Sequence, residues 1–220
     1  EPYIKLAEKL VKISGLGGRV FFGNSGAEAN ECAIKLARRY GAQKYGAARS
    51  EIVTLENSFH GRTVTTLAAT GQEAFHHDFT PLTAGFSYAK ANDMESVKSA
   101  VSEKTCAVML EFIQGEGGVL PLKDAFVQAA AAFCKANDIL LLIDEVQTGV
   151  GRTGALYCFE NYGARPDILT SAKGLGGGLP IGACLCTKEL GAVMSAGMHG
   201  STFGGNPVVC AGALAVLDVV

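Results

Sequence analysis

The sequence has no excess of charge of either sign. Nineteen Lys and Arg stand against 21 Asp and Glu, a formal charge of −2 over 220 residues. That balance gives no electrostatic ground for binding a nucleic-acid backbone or an anionic membrane. There is no long hydrophobic run either. The longest apolar stretches, LLLI at 140–143 and VVCAGALAVL at 208–217, fall short of the ~20 residues needed to span a bilayer. No signal-peptide pattern opens the chain. No CxxC occurs, which argues against a zinc ribbon or a thioredoxin-type site. The four histidines (His60, His76, His77, His199) are scattered without ligand spacing, apart from one adjacent pair, so no metal site is expected. Repeats and linkers are lacking too.

Seven cysteines are present and cannot all pair within one chain. Several lie in apolar runs, such as Cys184 in GACLCT and Cys210 in PVVCAGALAVL. Buried, reduced thiols and a cytoplasmic location are the expectation. Hydrophobic residues make up 48% and charged residues 18%, enough for a sizeable core in one large domain or part of a larger protein. Glycine is frequent, 28 residues or roughly twice the usual share, and it is clustered. The chain opens at Glu1 without Met and stops at Val220 inside an apolar helical pattern, which reads as a piece of a longer protein.

Short apolar strands alternate with helices. Helical spacing marks 2–13, 27–40, 93–102, 123–137, 188–195 and 206–219, and strands are expected at 19–22, 51–55, 106–111, 139–143, 167–170 and 182–187. This alternation predicts an α/β fold with a mainly parallel central sheet covered by helices on both faces. Ligands of such sheets sit outside the carboxyl ends of the strands, so the residues that follow each strand carry the functional signal.

After RVFF comes Gly23-Asn24-Ser25-Gly26-Ala27, small residues that open a helix. Bare amides at a helix N-terminus bind phosphate, although the same segment reads equally as a turn with an ordinary N-cap. No GK[ST] follows, so it is not a Walker A loop. After EIVTLE, an aromatic, an imidazole and a guanidinium stand together as Phe59, His60 and Arg62; Phe59 suits stacking on a ring, and Arg62 suits a bidentate grip on a carboxylate. Glu111 and Glu116 follow the next strand. Asp144 follows ILLLI directly, where partial burial calls for a cationic or hydrogen-bonding partner. Lys173 follows DILT among glycines, 29 residues after Asp144, about one strand–helix–strand crossover. The pair is therefore expected on adjacent parallel strands at one sheet edge. A lysine held partly out of water there is a usable amine nucleophile, and the acid across from it suits a cationic heterocycle between the two; taken alone, Lys173 reads also as a surface lysine in a flexible loop.

Gly149-Val-Gly151-Arg-Thr-Gly154 matches GxGxxG, but DEVQT separates it from its strand, and Asp167 begins a strand instead of ending one. A dinucleotide site needs the opposite on both counts.

A phosphate loop, a stacking aromatic, an acid for a pyridinium and an amine nucleophile together describe pyridoxal phosphate chemistry. The runs FFGNSGAEANECAIKLARRY, SFHGRT, EFIQGEGGVLPL, LLIDEVQTGVGRTG, DILTSAKGLGGGLPIGA and HGSTFGGNP, from Phe21 to Pro207, resemble subgroup III (class III) of the pyridoxal-phosphate aminotransferases, in particular the acetylornithine branch. The resemblance implies the large domain of the fold type I transferases over 1–220, with an N-terminal segment and a C-terminal small domain outside it. It implies that Lys173 binds the cofactor covalently and shuttles the proton, that Asp144 pairs with the ring nitrogen, and that Phe59 stacks on the ring. Gln147 would lie near the phenolic oxygen. Ser25, Gly26 and Ala27 would bind the phosphate, joined by Thr202 from the neighbouring subunit of a homodimer with shared active sites. Arg62 would meet a substrate carboxylate or acyl group, Glu111 would lie close to the substrate, and Glu116 would separate the half-reactions by changing its partner.

The implied activity is ping-pong transfer of an amino group between N-acetylornithine and 2-oxoglutarate in arginine biosynthesis. Ornithine, succinylornithine and 4-aminobutyrate aminotransferases share most of these motifs, and a non-catalytic domain of the same fold is the reading from a different class. Phe112 stands where the family usually has Pro, and the family's substrate-gripping arginine of the small domain has no counterpart within 1–220.

Overall fold

The computed structural model describes all residues from Glu1 to Val220. In chain order the elements are α1 (Pro2–Ser14), β1 (Gly17–Gly23), α2 (Gly26–Tyr45), β2 (Glu51–Leu55), α3 (Val64–Ala69), β3 (Phe86–Ala89), α4 (Met94–Ala100), β4 (Thr105–Leu110), β5 (Ile113–Gln114), β6 (Leu120–Pro121), α5 (Asp124–Ala136), β7 (Leu140–Asp144), α6 (Phe159–Tyr162), β8 (Ile168–Ser171), β9 (Gly182–Thr187) and α7 (Pro207–Val219). Seven strands form one sheet in the order β1-β9-β8-β7-β4-β2-β3. All pairs from β8 to β3 are parallel. Only β9 runs against both of its neighbours. The expected mainly parallel α/β architecture is what the chain forms.

Continuous apolar runs make the inner strands because both sheet faces are covered: every residue of β4 and β7 is buried. Side chains alternate across the sheet. Along β7, Leu141 and Ile143 enter a core layer built with α1, α5 and α7, while Leu140 and Leu142 enter a second layer beneath α2. Each fully buried Leu or Ile here contributes about 2 kcal/mol of transfer free energy. Cys184 and Cys186 share the α2 face, as their spacing in β9 requires, and all seven cysteines are buried and unpaired. No helix is long and apolar enough to cross a membrane.

Three helices depart from the sequence expectation. The predicted helix over 188–195 is a single 3₁₀ turn, Leu190–Ala192. Gly191 stands in the middle of that stretch, and glycine costs a helix interior about 1 kcal/mol. Helix α2 runs on through Gly41 to Tyr45, past the predicted end at 40. Helix α3, in VTTLAA, is not anticipated because β-branched residues disfavour helix. It is secured by a reciprocal capping box between Thr63 and Thr66.

Candidate active site

The strands β1, β2, β4, β7 and β8 all point the same way, so Ser25, Phe59, Glu111, Asp144 and Lys173 arrive at one sheet edge. There they line a cavity of about 430 Å³, together with Gly26, Ala27, Arg62, Glu116 and Gln147. Every residue expected at the site lines this cavity except Thr202, which lies outside it and is exposed.

One wall is the start of α2. Ser25 is its N-cap, with Oγ accepting from the Glu28 amide at 3.2 Å. The amides of Gly26 and Ala27 sit in the first turn, where no intrahelical acceptor exists. A 20-residue helix adds its dipole, so this end favours an anion. The antiparallel strand β9 begins at Gly182 against this loop. A Cβ there would lie 2.0 Å from the Ser25 carbonyl oxygen, so only glycine permits the approach.

The floor is Asp144, the last residue of β7. Its neighbour in register is Thr170 on the parallel strand β8, which ends at Ser171; Lys173 is not on the strand itself but opens the 3₁₀ turn Lys173–Gly176 just past it. Asp144 and His60 expose 3% and 2% of their surfaces. Asp144 Oδ2 accepts from Asn30 Nδ2 and is paired with His60 Nδ1, both at 2.8 Å. Its Oδ1 accepts from the Val146 amide at 3.0 Å and from Thr170 Oγ1 at 3.4 Å. This is the partner set that a buried carboxylate requires. The next residue, Glu145, serves the fold instead. It accepts from Thr148 Oγ1 and from the amides of Cys158 and Phe159, stapling a neighbouring turn.

Burial opposes a charged imidazole at His60. The hydrogen bond to Asp144, with the charges of Asp144 and Glu111, outweighs it and holds the His60 pKa above the ordinary value. Glu111 is pushed up to about 7, first by burial and further by the Asp144 charge, against the opposing charge of His60 and the amides of Phe59 and Gly115. The Glu111 carboxylate accepts from the Phe59 amide at 2.8 Å, so it fixes the backbone beneath the aromatic ring.

Lys173 is exposed at the cavity, not sheltered from water as its glycine surroundings suggest. Its backbone marks it instead: φ is +44° in a non-glycine residue, a conformation costing on the order of 1–2 kcal/mol. Its Nζ donates to Gln147 Oε1. The Arg62 guanidinium carbon lies 4.6 Å from the centre of the Phe75 ring and 5.8 Å from that of Phe59, and the two rings meet edge to face.

Sequence reading misses Asn30, Gln72 and Phe75, and gives His60 no role. Asn30 carries a weak signal, four residues after Gly26 on the same helical face. Across the cavity the residues fit a ring bearing a phosphate at one end, a basic nitrogen near a buried carboxylate, and a carbonyl carbon within reach of an amine. That is the donor set pyridoxal phosphate needs.

The model for the family "Aminotransferase class-III" matches residues 1–220. The chain is 56% identical over 218 residues to an acetylornithine aminotransferase of Haemophilus ducreyi, covering 99% of this chain and 55% of that protein. It is 55% identical over 220 residues to an acetylornithine aminotransferase of Caldanaerobacter subterraneus, covering 100% of this chain and 56% of that one. A crystal structure of ornithine aminotransferase from Toxoplasma gondii, described with partial occupancy of PLP at its active site, superposes with a TM-score of 0.94 at 33% identity, covering 99% of this chain and 52% of that chain. The chain thus spans about half the length of the curated relatives it matches.

Proposed function

The chain belongs to the class-III aminotransferases, and from that premise we propose that its protein transfers an amino group between N-acetylornithine and 2-oxoglutarate, with pyridoxal phosphate as cofactor, in arginine biosynthesis. The observation that carries this reading is the placement of Asp144 at the end of β7 and Lys173 just past the end of the adjacent parallel strand β8, in one cavity with the N-terminus of α2. The identity of 55–56% to acetylornithine aminotransferases supports that donor over ornithine.

When bound, pyridoxal phosphate supplies an electron sink for the pair left as a carbon–hydrogen bond breaks. The residues of the chain do the rest. The amides of Gly26 and Ala27 and the cap at Ser25 would hold the phosphate. Asp144, fixed by four partners, keeps a proton on the ring nitrogen. Phe59 covers a ring face from a backbone anchored by Glu111. The Lys173 amine would hold the cofactor and, when free, would accept the proton of the substrate carbon and give it back. Gln147 orients that amine. Arg62 is the cation for a substrate carboxylate, and Glu116 lies where it can separate the two half-reactions. The reading includes a homodimer in which Thr202 meets the partner's phosphate; its exposed position outside its own cavity, next to the exposed Phe203, supports this. It also includes a cytoplasmic location, supported by seven unpaired buried thiols.

The test is a coupled assay on the natural full-length protein. Glutamate formed from N-acetylornithine and 2-oxoglutarate at a higher kcat/KM than from ornithine, N-succinylornithine or 4-aminobutyrate is the expected result. Preference for one of the other donors overturns the substrate assignment, and no transfer from any donor overturns the activity.

A further inference from the structure

The segment that carries Thr202 is fastened to the loop and helix that form this chain's own phosphate end. Lys35 of α2 donates to the Met198 carbonyl at 3.1 Å, and the centres of the Phe21 and His199 rings lie 4.5 Å apart. Asn24 Nδ2 donates to Ser201 Oγ at 2.9 Å, and Ser201 Oγ donates to Glu28 Oε1 at 3.4 Å. Gly204 is pressed against the end of β1, where a Cβ would lie 2.1 Å from the Phe22 carbonyl oxygen. Thr202 thus stands between two attached residues, Ser201 and Gly204, and is itself exposed.

Glu28 joins the two segments. Ser25-Gly26-Ala27-Glu28 has the spacing of a capping box, in which the acid reaches back to the N-cap amide. Ser25 Oγ accepts from the Glu28 amide as that motif requires. The half-buried Glu28 carboxylate, however, reaches past the cap. Its Oε2 accepts from the Asn24 amide, and its Oε1 accepts from Asn24 Nδ2 at 3.2 Å as well as from Ser201 Oγ. One carboxylate therefore holds the residue before the N-cap and the residue before Thr202. The side chains of Asn24, Glu28 and Ser201 bond pairwise, so each fixes the other two. Asn24 lines the cavity, whereas Glu28 and Ser201 do not.

A hydroxyl on a free segment loses conformational entropy whenever it meets a ligand, and one fixed beforehand loses little. We propose that Glu28, Asn24 and Ser201 are positioning residues for the neighbouring subunit's site. They set Thr202 at a fixed place relative to this subunit's own phosphate loop, so that its hydroxyl arrives preorganised at the phosphate of the other. This rests on the reading of Thr202 in a homodimer and adds to it the residues that hold it.

The test uses hybrid dimers of the natural full-length protein. One subunit is native, and the other, differently tagged, carries K173A, so that borohydride fixes cofactor on the native subunit alone. Titration with pyridoxal phosphate before reduction then reads the Kd of the native subunit's site. Adding S201A or E28A to the K173A subunit raises that Kd about tenfold, although every residue of the native subunit is unchanged. The two together raise it no more than about twofold beyond the larger single effect, because both break one link. T202V in the K173A subunit removes the hydroxyl itself and raises the Kd at least as far. If T202V raises the Kd but S201A or E28A leaves it unchanged, or if their effects multiply, the proposal is overturned and the shared-phosphate reading stands. If T202V leaves the Kd unchanged, or the full-length protein is a monomer, that reading has failed and this inference falls with it.

Discussion

His60 Nδ1 lies 2.8 Å from Asp144 Oδ2, and both side chains are almost sealed from solvent. The contact joins the loop after β2 to the last residue of β7, across the intervening strand β4. It gives the carboxylate at the cavity floor a fixed direction, which is what an acid needs to hold a proton on a ring nitrogen above it.

His60→Phe removes that partner and leaves a buried carboxylate short of one donor. The expected cost is about 1–3 kcal/mol in the unfolding free energy, with a fall in kcat at saturating cofactor. Urea denaturation and steady-state kinetics on the same preparation check both. An unchanged stability would show that Asn30, Val146 and Thr170 suffice for Asp144.

Asp144→Ala takes away the group assigned to the ring nitrogen while the phosphate end of the site stays intact. The rate is expected to drop by about 10²–10⁴-fold or more, with the cofactor still bound through α2. Stopped-flow kinetics and cofactor titration separate the two quantities. A rate within a few-fold of the unsubstituted protein would discard the assignment.

Glu111 and His60 both have pKa values raised by folding. A raised folded value gives stability that is complete below the unfolded value and is lost as pH climbs through the folded one. For Glu111 the window runs from the ordinary carboxyl range up to about 7, and for His60 from its ordinary value upward. The cofactor-free protein is therefore expected to lose stability as pH rises from the ordinary carboxyl range to about 7, and Glu111→Gln flattens that slope. Urea midpoints across this range test it; identical slopes in the two proteins would contradict it.

Gly182→Ala places a methyl group 2.0 Å from the Ser25 carbonyl oxygen. The loop before α2 must shift, at a cost of about 1–3 kcal/mol, and cofactor affinity falls although residue 182 contributes no side chain to the site. Fluorescence titration with pyridoxal phosphate reads the loss. Native affinity in this variant would mean that the loop yields freely.

The inner strands are legible in the sequence because a run such as ILLLI has no polar face, and no other element buries both sides of such a short segment. The positions of Asp144 and Lys173 are legible for the same reason: ligand residues follow such strands, and their separation of 29 residues matches one crossover. What the sequence does not disclose is the support around them. Asn30 reaches Asp144 from 114 residues away, and no local pattern announces a contact of that range. Gln72 has no signal at all: its Nε2 donates to Glu116 Oε2, 44 residues on, across segments whose close approach Gly71 and Gly117 permit. Glu111 illustrates a third limit. Its place at a strand end points to the cavity, but its burial and its bond to the Phe59 amide depend on how β2 and β4 lie side by side. The glycines around Lys173 suggest shelter from water, yet it is exposed; what sets it apart is a left-handed backbone, which sequence gives no means of seeing in a lysine.

Lys173 as the amine that binds the cofactor is the central claim, and the most direct measurement is borohydride reduction of the cofactor-loaded full-length protein followed by peptide mapping. The prediction is a single cofactor-derived mass on Lys173 in the unsubstituted protein, none in Lys173→Ala, and cofactor that still binds the variant but washes away. Attachment at another lysine, or none in the unsubstituted protein, would contradict it.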